Sequence, residues 1–413
     1  MKQLLALIFI TLAYNAFSQS NNEPSDYSPH DLKITGYFQL QYQKAAESGI
    51  SSFTGGDFTQ NNDNRFIIRR GRFKFDRVDE FTNIVLQVDA TQDGVSLRDG
   101  FIQLKDPLFN TFTLTAGQFT KPFGYILAYS SAIREFPERP RVYQTLLPSE
   151  RDLGVMLSIH PAQYKFIDYQ IGLFNGSGTN ARDYDNKKDL STSLNFNFKN
   201  VAEVFDIGFG GSYYSGSVRQ NTTTVFNEGY LAGKPGLIAQ TSPENEGAYA
   251  IRRYKGLNLQ LNYNSSWGKT SLKSEYITGR QPGVAPSSDI KATQASRSFS
   301  TQPKTDLYNR NFNGFFIWLT QAIPKTQLEL IASYDVYDPN TFIKEKDIGA
   351  TGNNTSAADI KYETFGAGLV YYMSKQVKFT LYYDHPINEK TLVETYQNDI
   401  NDDVFTARLQ YRF

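Results

Sequence analysis

The sequence predicts an all-β protein: a transmembrane antiparallel β-barrel of about sixteen strands, with long extracellular loops and an inward-folding third loop. Three observations carry this expectation. In the last nine residues, Phe405, Ala407, Leu409, Tyr411 and Phe413 share one parity, and Thr406, Arg408, Gln410 and Arg412 share the other. Successive strand side chains point to opposite faces, so this is a strand with one oily and one cationic face, ending on an aromatic residue. At the other end, Lys2 supplies a positive start, Leu4 to Ala13 an apolar run, and Ala16-Phe17-Ser18 small residues for cleavage. That is the make-up of a secretory signal. Finally, the chain holds 27 Tyr and 31 Phe, yet only 40% of its residues are hydrophobic and its mean hydropathy is -0.46. Strands that alternate between lipid and a watery lumen average out this way.

Taken in order, residues 1–18 read as a signal peptide, too short in its apolar run to span a bilayer. Residues 19–31 are polar, contain Pro24 and Pro29, and read as a short periplasmic lead-in. Residues 32–413 form the barrel. Cys is absent, which removes disulfides, thiolate nucleophiles and thiolate metal sites. The formal charge is +0, so bulk charge points to no partner.

Candidate strands lie at roughly 32–43, 64–77, 81–91, 97–104, 111–119, 151–159, 164–174, 188–199, 204–217, 252–264, 268–280, 311–321, 326–337, 361–372, 375–385 and 402–413. Their connections alternate in length. Short turns such as 78–80, 160–163 and 373–374 are separated by long segments at 44–63, 120–150, 175–187, 218–251, 281–310, 338–360 and 386–401, with a modest loop at 92–96. Short turns on one rim and long loops on the other are the mark of an outer-membrane barrel, and an even strand number places both termini in the periplasm. Alternation is clean where Leu257, Leu259, Leu261 and Tyr263 oppose Asn258, Gln260 and Asn262. It breaks in Asn64 to Phe75, where a bulge near Gly71 would restore it, and in Phe312 to Leu319.

The loop 120–150 is the candidate constriction. It carries Arg134, Arg139 and Arg141, followed by Arg151, among Glu135, Glu138, Glu150 and Asp152. Its apolar residues Ile126, Leu127, Leu146 and Leu147 gain nothing on a free surface, so it folds into the lumen. With Phe73 and Phe75 facing lipid, Arg72 and Lys74 face inward, as do Arg408 and Arg412 from the closing strand. A charge on the lipid face near the midplane costs roughly 2–4 kcal/mol, so these four cations belong inside. Rows of cations in a narrow passage concentrate anions, and Arg presents a fork that fits phosphate. Loop carboxylates that pair with the arginines oppose that effect.

Four segments in order give a family resemblance: Arg69-Arg70-Gly71-Arg72-Phe73-Lys74-Phe75, Leu97 to Ile102, Gly117-Gln-Phe-Thr-Lys-Pro-Phe-Gly124, and Pro148-Ser-Glu-Arg-Asp-Leu-Gly-Val155. Together they resemble the phosphate-selective porin O and P family, most closely over 64–160. The resemblance implies a sixteen-stranded, trimeric, anion-passing porin whose third loop narrows the lumen. Small anions such as phosphate and outer-membrane lipid are the expected partners; no continuous basic patch suggests nucleic acid, and passive passage needs no cofactor. Lys121 stands in the motif loop, but the several lysines of the family's central cluster are not found there. A general or sugar-passing porin, and a non-conducting accessory or adhesive barrel, remain as alternatives. An enzyme is not expected: His30, His160 and His385 fall in the lead-in, a turn and a strand end, in no catalytic constellation.

Overall fold

The computed structural model describes residues 31–148, 150–183, 185–289 and 305–413. The expected signal peptide, and the lead-in apart from Asp31, lie outside the described residues. The first half of the barrel comprises β1 (Leu32–Ala45), β2 (Asn64–Val78), β3 (Thr82–Thr91), β4 (Gly94–Lys105), β5 (Phe112–Thr120), β6 (Arg151–Ile159), β7 (Ile167–Phe174), β8 (Asp189–Val201) and β9 (Phe205–Arg219). A hairpin of β10 (Thr224–Leu231) and β11 (Lys234–Thr241) follows. The second half comprises β12 (Tyr249–Ser265), β13 (Gly268–Gly283), β14 (Leu307–Ala322), β15 (Leu328–Asp338), β16 (Tyr362–Tyr372), β17 (Val377–Asn388) and β18 (Val404–Arg412).

Each barrel strand pairs antiparallel with its neighbours, β9 pairs directly with β12, and β1 pairs with β18 from Tyr37↔Arg412 to Ala45↔Val404. The barrel is therefore closed with sixteen strands. Closure is obligatory in lipid, where an unpaired edge would leave backbone groups without partners. Outward residues such as Leu86, Ile102, Val155, Leu257, Leu330 and Leu409 are exposed and form the apolar band. Among the described residues no helix is long and apolar enough to cross a membrane, which says nothing of strands.

Three departures from the sequence reading have physical causes. The segment 218–251 holds the β10–β11 hairpin, turned through Ala232 and Gly233 at positive φ. Its cover comes from distant residues: Leu237 packs with Ile343, Ile348 and Ile360, and the Phe226 ring stacks on Tyr308 at 4.1 Å. The bulge in β2 falls at Arg69, since Gln39 pairs with Arg70 and Leu40 with Ile68. Phe66 and Ile68 thus face lipid on one side of it, and Phe73 and Phe75 on the other. Finally, Phe312, Phe316 and Trp318 of β14 are buried inward, while Leu319 faces out. This strand is apolar on both faces because its inner face packs on the loop between β5 and β6.

Gly71 follows the bulge, and a Cβ there would lie 2.3 Å from the Ala90 carbonyl oxygen of β3. Gly71→Val should therefore separate β2 from β3 and lower barrel stability by about 1–3 kcal/mol. The shift in the urea midpoint of refolded protein in detergent measures this; an unchanged midpoint would show that the close approach carries no strain.

Candidate functional site in the barrel lumen

The segment 121–150 leaves β5 and crosses the lumen. Near its start, the Gly124 amide donates to Ser212 Oγ at 2.8 Å, and the Ile126 amide to Glu275 at 2.6 Å. Gly124 has φ +65°, and a Cβ there would sit 1.9 Å from Tyr143 Oη, so only glycine fits this corner. On the far wall, Gln39 donates to the Ser131 carbonyl at 3.0 Å, Gln410 to Ala132 at 2.7 Å and Lys378 to Arg134 at 2.6 Å. A short helix, α1 (Arg141–Leu146), follows, with Gln144 donating to the Phe53 carbonyl at 2.8 Å. Phe123, Ile126, Leu127, Phe136, Val142, Tyr143, Leu146 and Leu147 are all buried, against Tyr254, Phe316, Trp318 and Tyr382 of the wall. The loop is thus a packed element inside the barrel, as its apolar residues predict.

The arc formed by β18, β1, β2, β3 and β4 is built from arginine. Glu138 of the loop receives Arg69 at 2.8 Å, Arg70 at 2.7 Å and Arg408 at 2.7 Å, with Arg134 at 3.9 Å. Glu150 receives Arg151 at 2.6 Å, Arg98 at 3.5 Å and Arg139. Arg151 also reaches Asp99 at 2.7 Å, and Arg72 reaches Asp89 at 3.0 Å. Eight arginines therefore share four carboxylates. Inward glutamines of β1 link the flanking strands: Gln39 accepts from Arg70 at 2.8 Å and Gln41 from Arg408 at 2.8 Å.

Of the residues singled out in the sequence, Arg72, Arg134, Arg139, Arg151 and Arg408 meet in this arc. Lys121 lies apart and buried, 3.5 Å from Asp152. Arg141 rests on the Tyr362 ring at 3.6 Å and the Phe53 ring at 4.4 Å, beside Asp335 and Asp402. Lys74 pairs with Asp76 at 2.9 Å and Arg412 is exposed at the short-turn rim, so neither joins the cluster. The expected single arc of Arg72, Lys74, Arg408 and Arg412 is thus corrected to an arc of arginines higher in the barrel, which keeps Arg72 and Arg408 and leaves out Lys74 and Arg412.

Sequence reasoning missed Arg69, Arg70 and Arg98 as lumen residues. Arg98 is the extra residue of a second bulge, since Gln87 pairs with Asp99 and Val88 with Leu97. Each bulge turns two consecutive charged residues inward, Arg69-Arg70 and Arg98-Asp99. The available signal was the coincidence of adjacent charges with a break in alternation.

Burial by itself would raise the Glu138 carboxyl, but Arg69, Arg70, Arg408 and Arg134 together hold it well below the usual carboxylate range. A depressed carboxylate contributes stability above its unfolded pKa and loses it as pH falls through the folded value. The loop anchor should therefore hold through about pH 4 and release only in stronger acid. Hydrogen exchange of residues 121–150 against pH tests this. Glu138→Gln leaves buried Arg70, Arg134 and Arg408, with half-buried Arg69, short of a counter-charge and should weaken loop docking by about 3–5 kcal/mol, read as new protease cleavage within the loop at neutral pH.

The model of the phosphate-selective porin O and P family matches residues 49–413. Similar solved structures include the outer-membrane channel DcaP of Acinetobacter baumannii, at 11% identity and TM-score 0.54, covering 95% of this chain and 100% of that one. A trimer form of OmpT, an outer-membrane protein of Vibrio cholerae, is similar at 10% identity and TM-score 0.53, over 93% of this chain and 99% of that one. An anion-selective porin from Comamonas acidovorans matches at 10% identity and TM-score 0.53, with 93% and 99% covered. At such identities the likeness shows the fold alone. No curated protein matches significantly. The family match, spanning most of the chain, supplies what the neighbours do not: this chain belongs to the phosphate-selective porin O and P family and is a porin channel of the bacterial outer membrane.

Proposed function

We propose that this porin passes small anions, phosphate among them, passively along the arginine arc beside the inward loop. The observation that carries this is that eight arginines of the arc and the loop docked on it share only four paired carboxylates. In a narrow passage with low-dielectric walls such an excess raises the local anion concentration and repels cations. Arg69 and Arg98 are the most open members, with 28% and 20% of their side chains accessible, so they are the groups an anion meets. Guanidinium forks suit the oxygens of phosphate and carboxylate. Weak successive contacts let an ion enter and leave, and transport needs no catalysis and no energy coupling. The family's name and the anion-selective Comamonas porin favour the same reading.

Both ends of the barrel chain, Leu32 and Arg412, lie on the short-turn rim, which supports periplasmic termini and extracellular loops. A trimer is proposed by analogy with the trimeric neighbour. A second reading, a general porin, draws on the acidic groups beside the arc, where Asp335, Asp384 and Asp402 share a small polar cavity with Glu138, Arg139 and Arg141.

Bilayer recordings distinguish the two readings. Under a KCl gradient the zero-current potential should lie on the anion side, and millimolar phosphate or less should block chloride current. Arg69→Gln with Arg98→Gln should cut the chloride-over-potassium permeability ratio on the order of tenfold. An unselective or cation-side potential without phosphate block would favour the general porin.

A further inference from the structure

The outer wall of β8, β9, β12 and β13 carries a feature that transport does not use. Gly211 points outward among Leu194, Phe209, Tyr213, Leu257 and Tyr276, at the floor of an apolar groove of about 790 Å³ on the lipid-facing surface. Immediately toward the long-loop rim stand two outward cations of β12, Lys255 and Arg253, both exposed on the same parity as Leu257. Neither has a hydrogen-bond or ion-pair partner among the described residues. Arg253 is also the cross-strand partner of Arg280, which is likewise outward and donates only to the neutral Asn227, at 2.8 Å. Like charges directly opposite each other destabilise a strand pair. No carboxylate of β8, β9, β12 or β13 points outward near them; Glu228 of the hairpin accepts from Asn311 and lies close enough to Arg280 to offset part of its charge, which leaves Lys255 and Arg253 as the uncompensated pair.

Height along the barrel identifies what meets these charges. On β12 the apolar outward series runs from Tyr263 through Leu261 and Leu259 to Leu257. From Tyr263 to Lys255 is eight residues, roughly 27 Å along a strand, or about 20 Å of height at the usual tilt. The apolar band of such barrels is about 25 Å tall. Lys255 and Arg253 therefore sit at its upper boundary, where headgroup phosphates lie. A charge a full turn deeper would be costly; at this height it is available to an anionic headgroup.

We infer that this groove and its cations form a binding site for a phosphorylated glycolipid of the outer leaflet. Acyl chains fill the dent above Gly211, and a sugar-borne phosphate lies between Lys255, Arg253 and Arg280. The site commits to a glycolipid because clustered cations suit more than one phosphate, and because the exposed Tyr276 ring and the half-buried Tyr213 ring at the groove edge offer sugar-facing surfaces. It rests on the long loops facing outward, and not on the anion reading of the lumen.

Native mass spectrometry of the full detergent-solubilised protein tests it, with diphosphorylated lipid A as the probe beside phosphatidylglycerol and phosphatidylethanolamine. The wild type should retain lipid A in preference to both phospholipids. Arg253→Ala with Lys255→Ala should weaken lipid A binding on the order of tenfold. Gly211→Leu, which fills the groove and leaves the charges, should also weaken it, while Lys269→Ala at the short-turn rim should not. The zero-current potential of the double variant should match the wild type, since these side chains point away from the lumen. Retention unchanged in both groove variants, equal retention of phosphatidylglycerol, or loss of oligomer in place of loss of lipid would overturn the inference, the last by assigning this face to a second copy of the chain.

Discussion

The pairing of β1 with β18 is the constraint on which the lumen depends. In lipid it is compulsory, because the edges it joins have no other partners for their amides and carbonyls. Its consequence inside the barrel is chemical. Closure sets β1 between two basic strands, with Arg408 on one side and Arg70 and Arg72 on the other. Left alone, these guanidiniums would repel across one strand. The inward residues of β1 in this stretch are Gln39, Gln41 and Gln43, whose amide oxygens accept from Arg70, Arg408 and Arg65. Glutamine brings no charge, so it bridges the arginines without cancelling the field they create.

The inward loop is held by two forces placed at opposite walls. Toward β12–β17 it is mainly apolar: Phe136 stacks on Trp318 at 4.3 Å and Phe123 meets Tyr254, with Glu275 and the Lys273–Glu135 pair as polar ties. Toward β18 and β1–β4 it is ionic, through Glu138 and Glu150. Apolar burial gives the loop its adhesion, and the ion pairs fix where along the arc it rests. That division leaves the arginine side as the polar face of the passage.

Most of the fold was legible in the sequence, because lipid imposes a strict alternation and the connections sort by length. The exceptions share one cause: a second partner that the local sequence does not announce. β14 reads ambiguously since Phe312, Phe316 and Trp318 answer to the loop while Leu319 answers to lipid. The β10–β11 hairpin has no lipid face, so its alternation is weak, and its apolar cover arrives from Ile343, Ile348 and Ile360. Within the lumen, Arg72 and Arg408 were readable from parity alone. Arg69, Arg70 and Arg98 were not, because a bulge resets parity at the residue that matters. The role of Glu138 as a shared counter-ion depends on how a thirty-residue segment lies across the barrel, which no period in the sequence encodes.

The same arginines serve loop position and lumen charge, and this couples architecture to permeation. A carboxylate for every arginine would hold the loop more firmly but abolish the excess charge. No carboxylate at all would leave buried guanidiniums whose desolvation nothing offsets. One acid shared by several arginines is the intermediate solution: Glu138 is buried at the centre, while Arg69 on the bulge keeps part of its surface in the passage. Lysine could not do this as well, because an ammonium is a single strongly hydrated point charge, whereas a guanidinium can bind a carboxylate with one edge and present its other donors to a passing anion. Arginine's geometry is therefore what allows one residue to anchor the loop and face the solute at once.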